Sequence, residues 1–307
     1  MTRLPQKRWL ADGKRLHLQD GPIDLIVEAR GTDENVRAAY EAAIRRFTGL
    51  LDTLCGELPE LRRAAHPDIS TLRGRVARRM YAAVAPFAAT TFITPMAAVA
   101  GAVAEEVLGA MTASADLERA YVNNGGDISL HLANNERFTV GLVDHPGMPN
   151  LIGKTVIEAN DPTRGIATSG WHGRSFSLGI ADAVTVLART AAQADAAATI
   201  IANAVDLPGH PLIVRRSASE IQPDNDLGAR LVTRGVGKLS YHEIATALGA
   251  GAQKARTLFA TRLIEGAALH LQGETHVVAL KEIDGESELP RAEMPRRTRN
   301  LLHAAEA

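Results

Sequence analysis

A pair of glycines interrupts a strand-like stretch near the middle of the chain. Residues 122–128 read Val-Asn-Asn-Gly-Gly-Asp-Ile, so the polar centre has apolar residues on both sides. Asn and Gly tolerate positive φ angles, and this sequence therefore predicts a tight hairpin turn between two strands. Glycines without side chains also allow backbone N–H groups to approach phosphate oxygens. Both interpretations stay open here, and Asp127 either anchors the turn or orients a ribose or base.

An acid and a hydroxyl stand four residues apart in a later stretch of small residues. Asp195 and Thr199 are separated by three alanines, in a segment that predicts a helix over residues 190–205. Side chains at positions i and i+4 are neighbours on one helical face. Their carboxylate and hydroxyl oxygens suit a hard ion such as Mg²⁺ or Ca²⁺. In the alternative interpretation, Asp195 interacts with the dipole of its own helix and Thr199 is an ordinary packed residue.

A third polar segment, residues 168–175, combines hydroxyls with two glycines, one histidine and one arginine. It could grip a phosphate or a substrate carboxylate, and it could equally form a surface hairpin. Ser169 and His172 invite a nucleophile–base interpretation, in which both would be catalytic. The sequence identifies no third group that would orient the histidine.

Composition and charge exclude several classes of protein. The 307 residues are 46% hydrophobic and carry a net charge of -1, which argues against a nucleic-acid partner. Cys55 is the single cysteine, so an intramolecular disulfide or a cysteine-based zinc site is excluded. No window reaches the roughly 18 apolar residues that span a bilayer, and the first residues lack the apolar run of a signal peptide. We therefore expect a cytoplasmic protein with no membrane partner.

The order of helix-like and strand-like segments predicts an α+β fold. The expected helices cover residues 33–58, 69–84, 94–111 and 190–205, and a late helical pair covers residues 241–265. The expected strands cover two stretches between residues 15 and 29, and residues 120–128, 138–143, 154–159, 165–168, 183–187, 267–271 and 276–280. A run of arginines in the second helix is interpreted as a solvated face (Arg73, Arg75, Arg78 and Arg79). We predict one domain over residues 1–287 and a fraying polar tail over residues 288–307.

Four segments, in this order along the chain, resemble the ApbE-like superfamily, whose best-known members are the FAD:protein FMN transferases. The resemblance rests on the small-residue helix at 94–107, the turn at 122–128, the Thr-Ser-Gly stretch at 167–170 and the strand and Asp-x-x-x-Thr helix at 183–199. The wording of residues 16–24, 94–101 and 175–186 is closer still to a sibling branch of that superfamily without an established reaction.

The resemblance implies a fold and a cofactor site. The fold would layer mixed or antiparallel sheets with helices in two intimately packed lobes. Mg²⁺ would be held by Asp195, Thr199 and a backbone carbonyl near Val99, and the cofactor would be FAD or FMN. By the same resemblance, the nucleotide site and the reactive end of the ligand would be lined by Asn123, Asn124, Gly125, Gly126, Asp127, Thr168, Ser169, Gly170 and His172.

Two departures from the transferase pattern leave the reaction open. Ala100 stands where transferases have a lysine, and residues 177–182 lack the histidine and proline of their His-x-x-Asp-Pro segment. The chain could be a flavin-related transferase with altered catalytic residues that acts on a small-molecule nucleotide. It could instead be a non-catalytic carrier, sensor or assembly factor for a partner flavoenzyme. A third alternative is a hydrolase or transferase for another phosphorylated metabolite, with His172 as acid or base. The small-residue helices could pack within one subunit or across a homodimer.

Overall fold

The computed structural model describes residues 4–143 and 151–279, which form both strands and helices. The strands are β1 (Gln6–Trp9), β2 (Leu16–Asp20), β3 (Ile23–Arg30), β4 (Arg119–Asn124), β5 (Asp127–Leu132), β6 (Arg137–Val143), β7 (Leu151–Glu158), β8 (Gly165–Ser169), β9 (Ala183–Ala188), β10 (Ile213–Ser217), β11 (Leu231–Val236), β12 (Gly266–Leu271) and β13 (Glu274–Ala279). The helices are α1 (Asp33–Phe47), α2 (Leu50–Gly56), α3 (Leu58–Leu61), α4 (Arg75–Ala88), α5 (Val99–Thr112), α6 (Ala191–Ala204), α7 (Ala218–Ile221) and α8 (Tyr241–Ala260), with a 3-10 helix at Pro95–Ala98.

A single large sheet organises the molecule. Nine strands pair in the order β1-β2-β3-β4-β5-β8-β9-β12-β13. Each of these pairings is antiparallel, and β6–β7 and β10–β11 form separate antiparallel hairpins. Helices α1 to α5 connect the neighbouring strands β3 and β4, and α6 to α8 lie between β9 and β12 in the chain. The predicted α+β class with antiparallel sheets and packed helices is confirmed.

Different elements pack on the two faces of the sheet. Leu25, Val27 and Val122 point to the face on which the helices pack, and they belong to one continuous core with Val103 and Ile201 of α5 and α6. Alternate residues of a strand point to opposite faces, so the remaining positions need another cover. On β5 and β8 the hairpin β6–β7 supplies it through a smaller cluster (Leu130, Leu132, Ile157 and Ile166).

One end of the sheet gathers several loops. The β4–β5 turn follows the pair Asn124↔Asp127. Antiparallel pairing then brings the end of β8 to the same sheet end, and it brings the start of β9 there as well, through the pair Ser169↔Val184. The predicted polar segments around residues 125 and 170 therefore meet in space, although long stretches of chain separate them.

Several predicted elements differ from the structure. The helix expected over residues 33–58 is wrong as one element, because it divides at Gly49, whose φ of 74° is left-handed. Pro59 lies in the first turn of α3, just after the end of the predicted helix, where its missing N–H costs nothing. The late helical pair is the single helix α8, and the strands β1, β10 and β11 were not predicted. Residue 280 and the predicted tail at 288–307 lie outside the described residues.

The second helix begins at Arg75 rather than at residue 69. The backbone N–H groups of Arg73 and Gly74 donate to the carboxylate of Glu57 at 2.6 and 2.8 Å. This long-range contact holds the preceding residues in a non-helical path, which local sequence does not predict.

One member of the predicted solvated arginine face has a different role. Arg73, Arg75 and Arg78 are exposed, as expected, although Arg75 Nε also lies 3.4 Å from Glu106. Arg79 instead bridges Glu105 and Glu106 of α5 at 2.9 and 2.7 Å. Burial by itself would raise the pKa of Glu106, but the bonds from Arg79 and Arg46 outweigh it and lower that pKa.

Within the described ranges, none of the helices is both long and apolar enough to cross a membrane.

Candidate functional site

Asp195 lies on α6 and its carboxylate reaches the start of the neighbouring helix. Its Oδ2 accepts a hydrogen bond from the backbone N–H of Gly101 at 3.0 Å, and the N–H of Ala100 donates to the same carboxylate. These N–H groups belong to the first turn of α5, where a helix has unsatisfied donors and a partial positive charge. The structural interpretation assumed that Asp195 interacts with the dipole of its own helix. In the structure it interacts with the dipole of α5 instead.

Glu105 makes the reciprocal contact. Its Oε1 accepts from the backbone N–H of Ala192 in the first turn of α6 at 2.7 Å. Its other oxygen, Oε2, pairs with Arg79 at 2.9 Å. Because each helix satisfies the first turn of the other, the relative position of α5 and α6 is determined at two points. The contacts hold Asp195 in place, and Thr199 follows one turn later on the same helix.

The glycine turn closes the β4–β5 hairpin as predicted. Gly125 and Gly126 have φ angles of 66° and 114°, which side-chain-bearing residues rarely adopt. The Oδ1 atom of Asn123 accepts from the N–H of Gly126 at 2.8 Å and stabilises the turn. The hairpin interpretation of this segment is confirmed, and its role at a nucleotide stays a prediction.

Asn124 ties this turn to the start of α5. The residue is 5% exposed, and its Nδ2 donates to the carbonyl of Ala100 at 3.1 Å. Ala100 is the residue whose N–H donates to Asp195. Since Asn124 and Asp127 are directly paired across the hairpin, both side chains lie on the helix-covered face of the sheet.

Asp127 completes the arrangement from the far side of the turn. Its Oδ1 accepts from the backbone N–H of Thr168 at 3.2 Å, just beyond the last β5–β8 pair, Ile128↔Ile166. The carboxylate thus continues the ladder where the two strands separate. The hydrogen bond links the glycine turn to the Thr-Ser-Gly segment.

The two carboxylates influence each other. Burial raises the pKa of Asp127 to about 7, against the opposing effects of the Thr168 N–H and the Arg174 charge. Burial raises the pKa of Asp195 well above its usual range, and the charge of Asp127 raises it further, against the bonds from Gly101 and Ala100. Both residues keep some accessible surface, so solvent screens part of these effects. The site therefore holds two acids whose joint ionisation is unfavourable without a nearby cation.

The donor set suits a hard cation. Two carboxylates and the hydroxyl of Thr199 are oxygen ligands of the kind that Mg²⁺ prefers, with water completing the shell. Among residues 4–143 and 151–279 there is no group of three or more His, Cys, Asp or Glu side chains that could hold a metal. A cation here would therefore depend on neutral oxygens as well. Val99 is the first residue of α5, next to Ala100, and the role of its carbonyl stays a prediction.

The Thr-Ser-Gly segment divides between the two faces of the sheet. The Oγ1 atoms of Thr168 and Thr185 are hydrogen-bonded across β8 and β9 at 2.9 Å. Ser169 pairs with Val184, a member of the helix-side core, and so shares the face of Asp127. A Cβ at Gly170 would overlap the backbone carbonyl of Asp182, which explains a glycine here without a ligand.

Asp182 is a polar residue of this site that sequence reasoning missed. Its Oδ1 accepts from Trp171 Nε1 at 3.0 Å and lies 3.1 Å from His172 Nε2. Its Oδ2 accepts from the backbone N–H of Gln272 at 2.6 Å. The rings of Trp171 and His172 are 3.8 Å apart between centroids. Asp182 is thus the third group that orients His172, and its position among apolar neighbours in sequence gave no signal of that role.

Arg174 lies over the glycine turn. A Cβ at Gly125 would overlap its Nη2 atom and would be 3.2 Å from its Cζ, so the guanidinium rests on the backbone of the turn. The residue is exposed, and its charge lowers the pKa of Asp127 against the larger effect of burial. Positive charge therefore stands at the mouth of the carboxylate pair.

Two surface hollows lie away from these residues. The larger, about 570 Å³ and open to solvent, is lined by residues of the α3–α4 connection together with Tyr81 and Pro95. The smaller, about 230 Å³, lies beside Arg46, Leu50 and Gly74. Neither includes Asp127, Asp195 or His172, and neither collects acids with raised pKa values, so the carboxylate pair remains the stronger candidate site.

The sequence profile of the family described as AbpE bacteria matches residues 7–277. The chain belongs to this family. A UPF0280 protein of Methanopyrus kandleri is 38% identical over 185 residues, which cover 59% of this chain and 69% of that protein. A UPF0280 protein of Methanothermobacter thermautotrophicus is 40% identical over 119 residues, covering 38% of this chain and 44% of that protein.

The predicted resemblance to an ApbE-like sibling branch is thereby confirmed. The solved structure of an ApbE protein from Thermotoga maritima is also similar, with 13% identity and a TM-score of 0.41 over 89% of this chain and 96% of that chain. In this ApbE-like protein, then, the structure brings Asp127 and Asp195 together at the start of α5 and brings His172 to Asp182.

Proposed function

We propose that this ApbE-like protein binds a flavin nucleotide, FAD or FMN, or a related phosphorylated cofactor, together with Mg²⁺. The observation that carries the proposal is the pair of partly buried carboxylates, Asp127 and Asp195, in which the charge of one raises the pKa of the other. Thr199 is the third protein ligand in this proposal. A bound divalent cation supplies the positive charge that lets both acids ionise and that a phosphate oxygen can share.

A purely structural role explains only one of these acids. Asp195 accepts two N–H groups of α5, which would justify a carboxylate at that position alone. Asp127 then adds a second negative charge to the same place and raises the pKa of Asp195 further. A neutral side chain at 127 would accept from Thr168 without that cost, so the acid is better explained by a ligand that compensates it.

The surroundings suit the phosphate end of a nucleotide. Gly125 and Gly126 carry no side chains of their own, and Arg174 lies against Gly125 beside the carboxylates. Ser169 contributes a hydroxyl on the same face of the sheet. In the proposed complex these groups contact the ligand, whereas Asn124 acts from behind by fixing the turn to α5.

Titration with FAD, followed by flavin fluorescence, tests this proposal directly. We expect saturable binding in the presence of Mg²⁺ and a loss of affinity of roughly 100-fold when EDTA removes the cation, because the phosphates would then face uncompensated carboxylates. Re-addition of Mg²⁺ to the same sample should restore binding. FAD binding that EDTA leaves unchanged would contradict the metal-dependent site, and absence of binding in both conditions would contradict the flavin assignment.

The His172–Asp182 pair favours a second candidate function, a transferase or hydrolase that acts on the bound phosphorylated ligand. The Oδ1 atom of Asp182 contacts Nε2 of His172 and orients the imidazole ring. An acid–base histidine requires a partner that orients it in this way. In the carrier, sensor or assembly-factor alternative, the same pair would only stabilise the loop.

Turnover separates these two functions. If the protein is a hydrolase for FAD, water attacks a phosphorus of the diphosphate, the P–O–P bond breaks, and FMN and AMP are released. We expect His172→Asn to lower such turnover at least about 100-fold without changing FAD affinity. Chromatography of the incubated sample detects the products. Binding of FAD without formation of FMN or AMP would instead support the carrier.

A further inference from the structure

We propose that Arg174 is a phosphate-recognition residue, which restricts the ligands of this site to those that carry a phosphate or diphosphate group. The inference rests on the proposed function, since it assumes a cation at Asp127 and Asp195. It adds a residue that determines ligand class and that neither the glycine turn nor the Asp-x-x-x-Thr helix contains.

The position of the guanidinium supports this role. The tip of the guanidinium lies against Gly125, where a Cβ would overlap Nη2 and would be 3.2 Å from Cζ, and the group is close enough to Asp127 to lower the pKa of that acid. The residue is nevertheless exposed. Arg174 makes no ion pair with any residue of the described ranges, 4–143 and 151–279. Its donors therefore remain available to a ligand.

The chain around Arg174 is held firmly for an exposed loop. Just before it, the Trp171 N–H donates to the carbonyl of Ala181 at 3.0 Å, and the Gly173 N–H donates to Gly170 at 3.1 Å. Trp171 and His172 are both held by Asp182. A guanidinium on such a loop loses less conformational entropy when it binds an anion than one on a free loop does.

Charge and geometry together indicate a phosphate. Arginine presents planar, paired donors that match two oxygens of one phosphate. A cation held by Asp127 and Asp195 would attract further phosphate oxygens. A diphosphate can contact both positive groups at once, whereas a neutral ligand would leave the guanidinium without a partner. The alternative is that Arg174 serves only as a counter-ion for Asp127.

The experiment compares Arg174→Gln with the wild-type protein at pH 8.5 and saturating Mg²⁺, and it uses FAD, inorganic pyrophosphate and riboflavin as probes. We expect Arg174→Gln to weaken FAD and pyrophosphate binding by about 10- to 100-fold. Riboflavin, which carries no phosphate, should bind equally to both proteins. Arg174→Lys should lose less, since it keeps the charge but not the paired donors. Arg78→Gln, at an exposed arginine on α4, is the matched control and should change nothing.

Binding of Mg²⁺ alone distinguishes recognition from a structural role. Removing a positive charge beside Asp127 should leave the affinity for Mg²⁺ unchanged or raise it about twofold, while phosphate binding falls. Equal pyrophosphate affinity in the wild type and Arg174→Gln would overturn the inference, as would a wild type that binds neither pyrophosphate nor FAD. If FAD does not bind but pyrophosphate does, and its binding depends on Arg174, only the flavin assignment would be overturned.

Discussion

Replacing Asp195 with asparagine is expected to stabilise the metal-free protein at pH 8 and, at the same time, to abolish its stabilisation by Mg²⁺. Burial and the charge of Asp127 raise the pKa of Asp195 well above its usual range, so an ionised Asp195 is costly in the absence of a cation. Asparagine keeps the shape and an acceptor oxygen for Gly101 but removes the charge.

The sign follows from the two raised pKa values. Between about pH 4 and pH 7 the native protein binds more protons at this site than the unfolded chain does, so stability falls as pH rises. The decrease continues until the pH exceeds the raised pKa values of both acids, and that of Asp127 is about 7. At pH 8 we expect Asp195→Asn to gain only about 2 kcal/mol, because solvent screens part of the repulsion and a neutral amide binds the N–H groups of α5 less strongly than a carboxylate does. This corresponds to a rise in Tm of roughly 3 °C for a chain of this length.

Thermal unfolding in EDTA and in Mg²⁺, at pH 5 and pH 8, measures both effects. The wild type should lose stability from pH 5 to pH 8 in EDTA and regain it with Mg²⁺, since a ligand that binds the native state stabilises it. Asp195→Asn should respond little to Mg²⁺ and should keep only the part of the pH dependence that comes from Asp127. Asp52→Asn, at an exposed acid on α2, is the matched control. A lower Tm for Asp195→Asn at pH 8 in EDTA would mean that its bonds to α5 outweigh the repulsion, and would contradict the metal site.

A methyl group at Gly101 is expected to destabilise the fold severely. A Cβ at this position would overlap the backbone carbonyl of Ala191 and would lie 2.7 Å from the N atom of Ala192. Both belong to the backbone of α6, which cannot move aside as a flexible side chain would. Moving α6 away would also break the contacts of Asp195 and Glu105 across the two helices. We expect Gly101→Ala to cost about 3 kcal/mol or more in urea unfolding, and to weaken Mg²⁺ binding.

Gly109→Ala provides the matched control on the same helix. Gly109 is exposed, and a Cβ there would meet nothing within 4 Å. Because alanine favours helix more than glycine does, this variant should gain up to about 1 kcal/mol. Similar small effects of the two substitutions would show that α5 and α6 can separate without loss, and that their close approach does not position the site.

Local chemistry made part of this structure predictable. Asn and Gly at the β4–β5 turn tolerate the positive φ angles that the turn requires, so the hairpin could be predicted from residues 122–128. The helix over residues 190–205 was also predictable, with Thr190 as its cap. The division of the expected helix 33–58 at Gly49 was not, because one glycine is tolerated within many helices.

The candidate site, too, was predictable only in part from the sequence. Helical periodicity alone put Asp195 and Thr199 on one face of α6, because neighbours at i and i+4 need no tertiary contact. The small residues of α5 indicated a close approach, but only the fold decided that the neighbour is the backbone of α6.

The sequence by itself therefore determined the turn, the helix over residues 190–205, and the family to which the chain belongs. Only the tertiary structure decided that Asp127 meets Asp195, that Asp182 holds His172, and that Arg174 rests on Gly125. Turn and helix preferences act over a few residues, so they can be read locally. These three contacts join separate strands, helices and loops, and they depend on antiparallel pairing in one sheet and on the packing of α5 against α6.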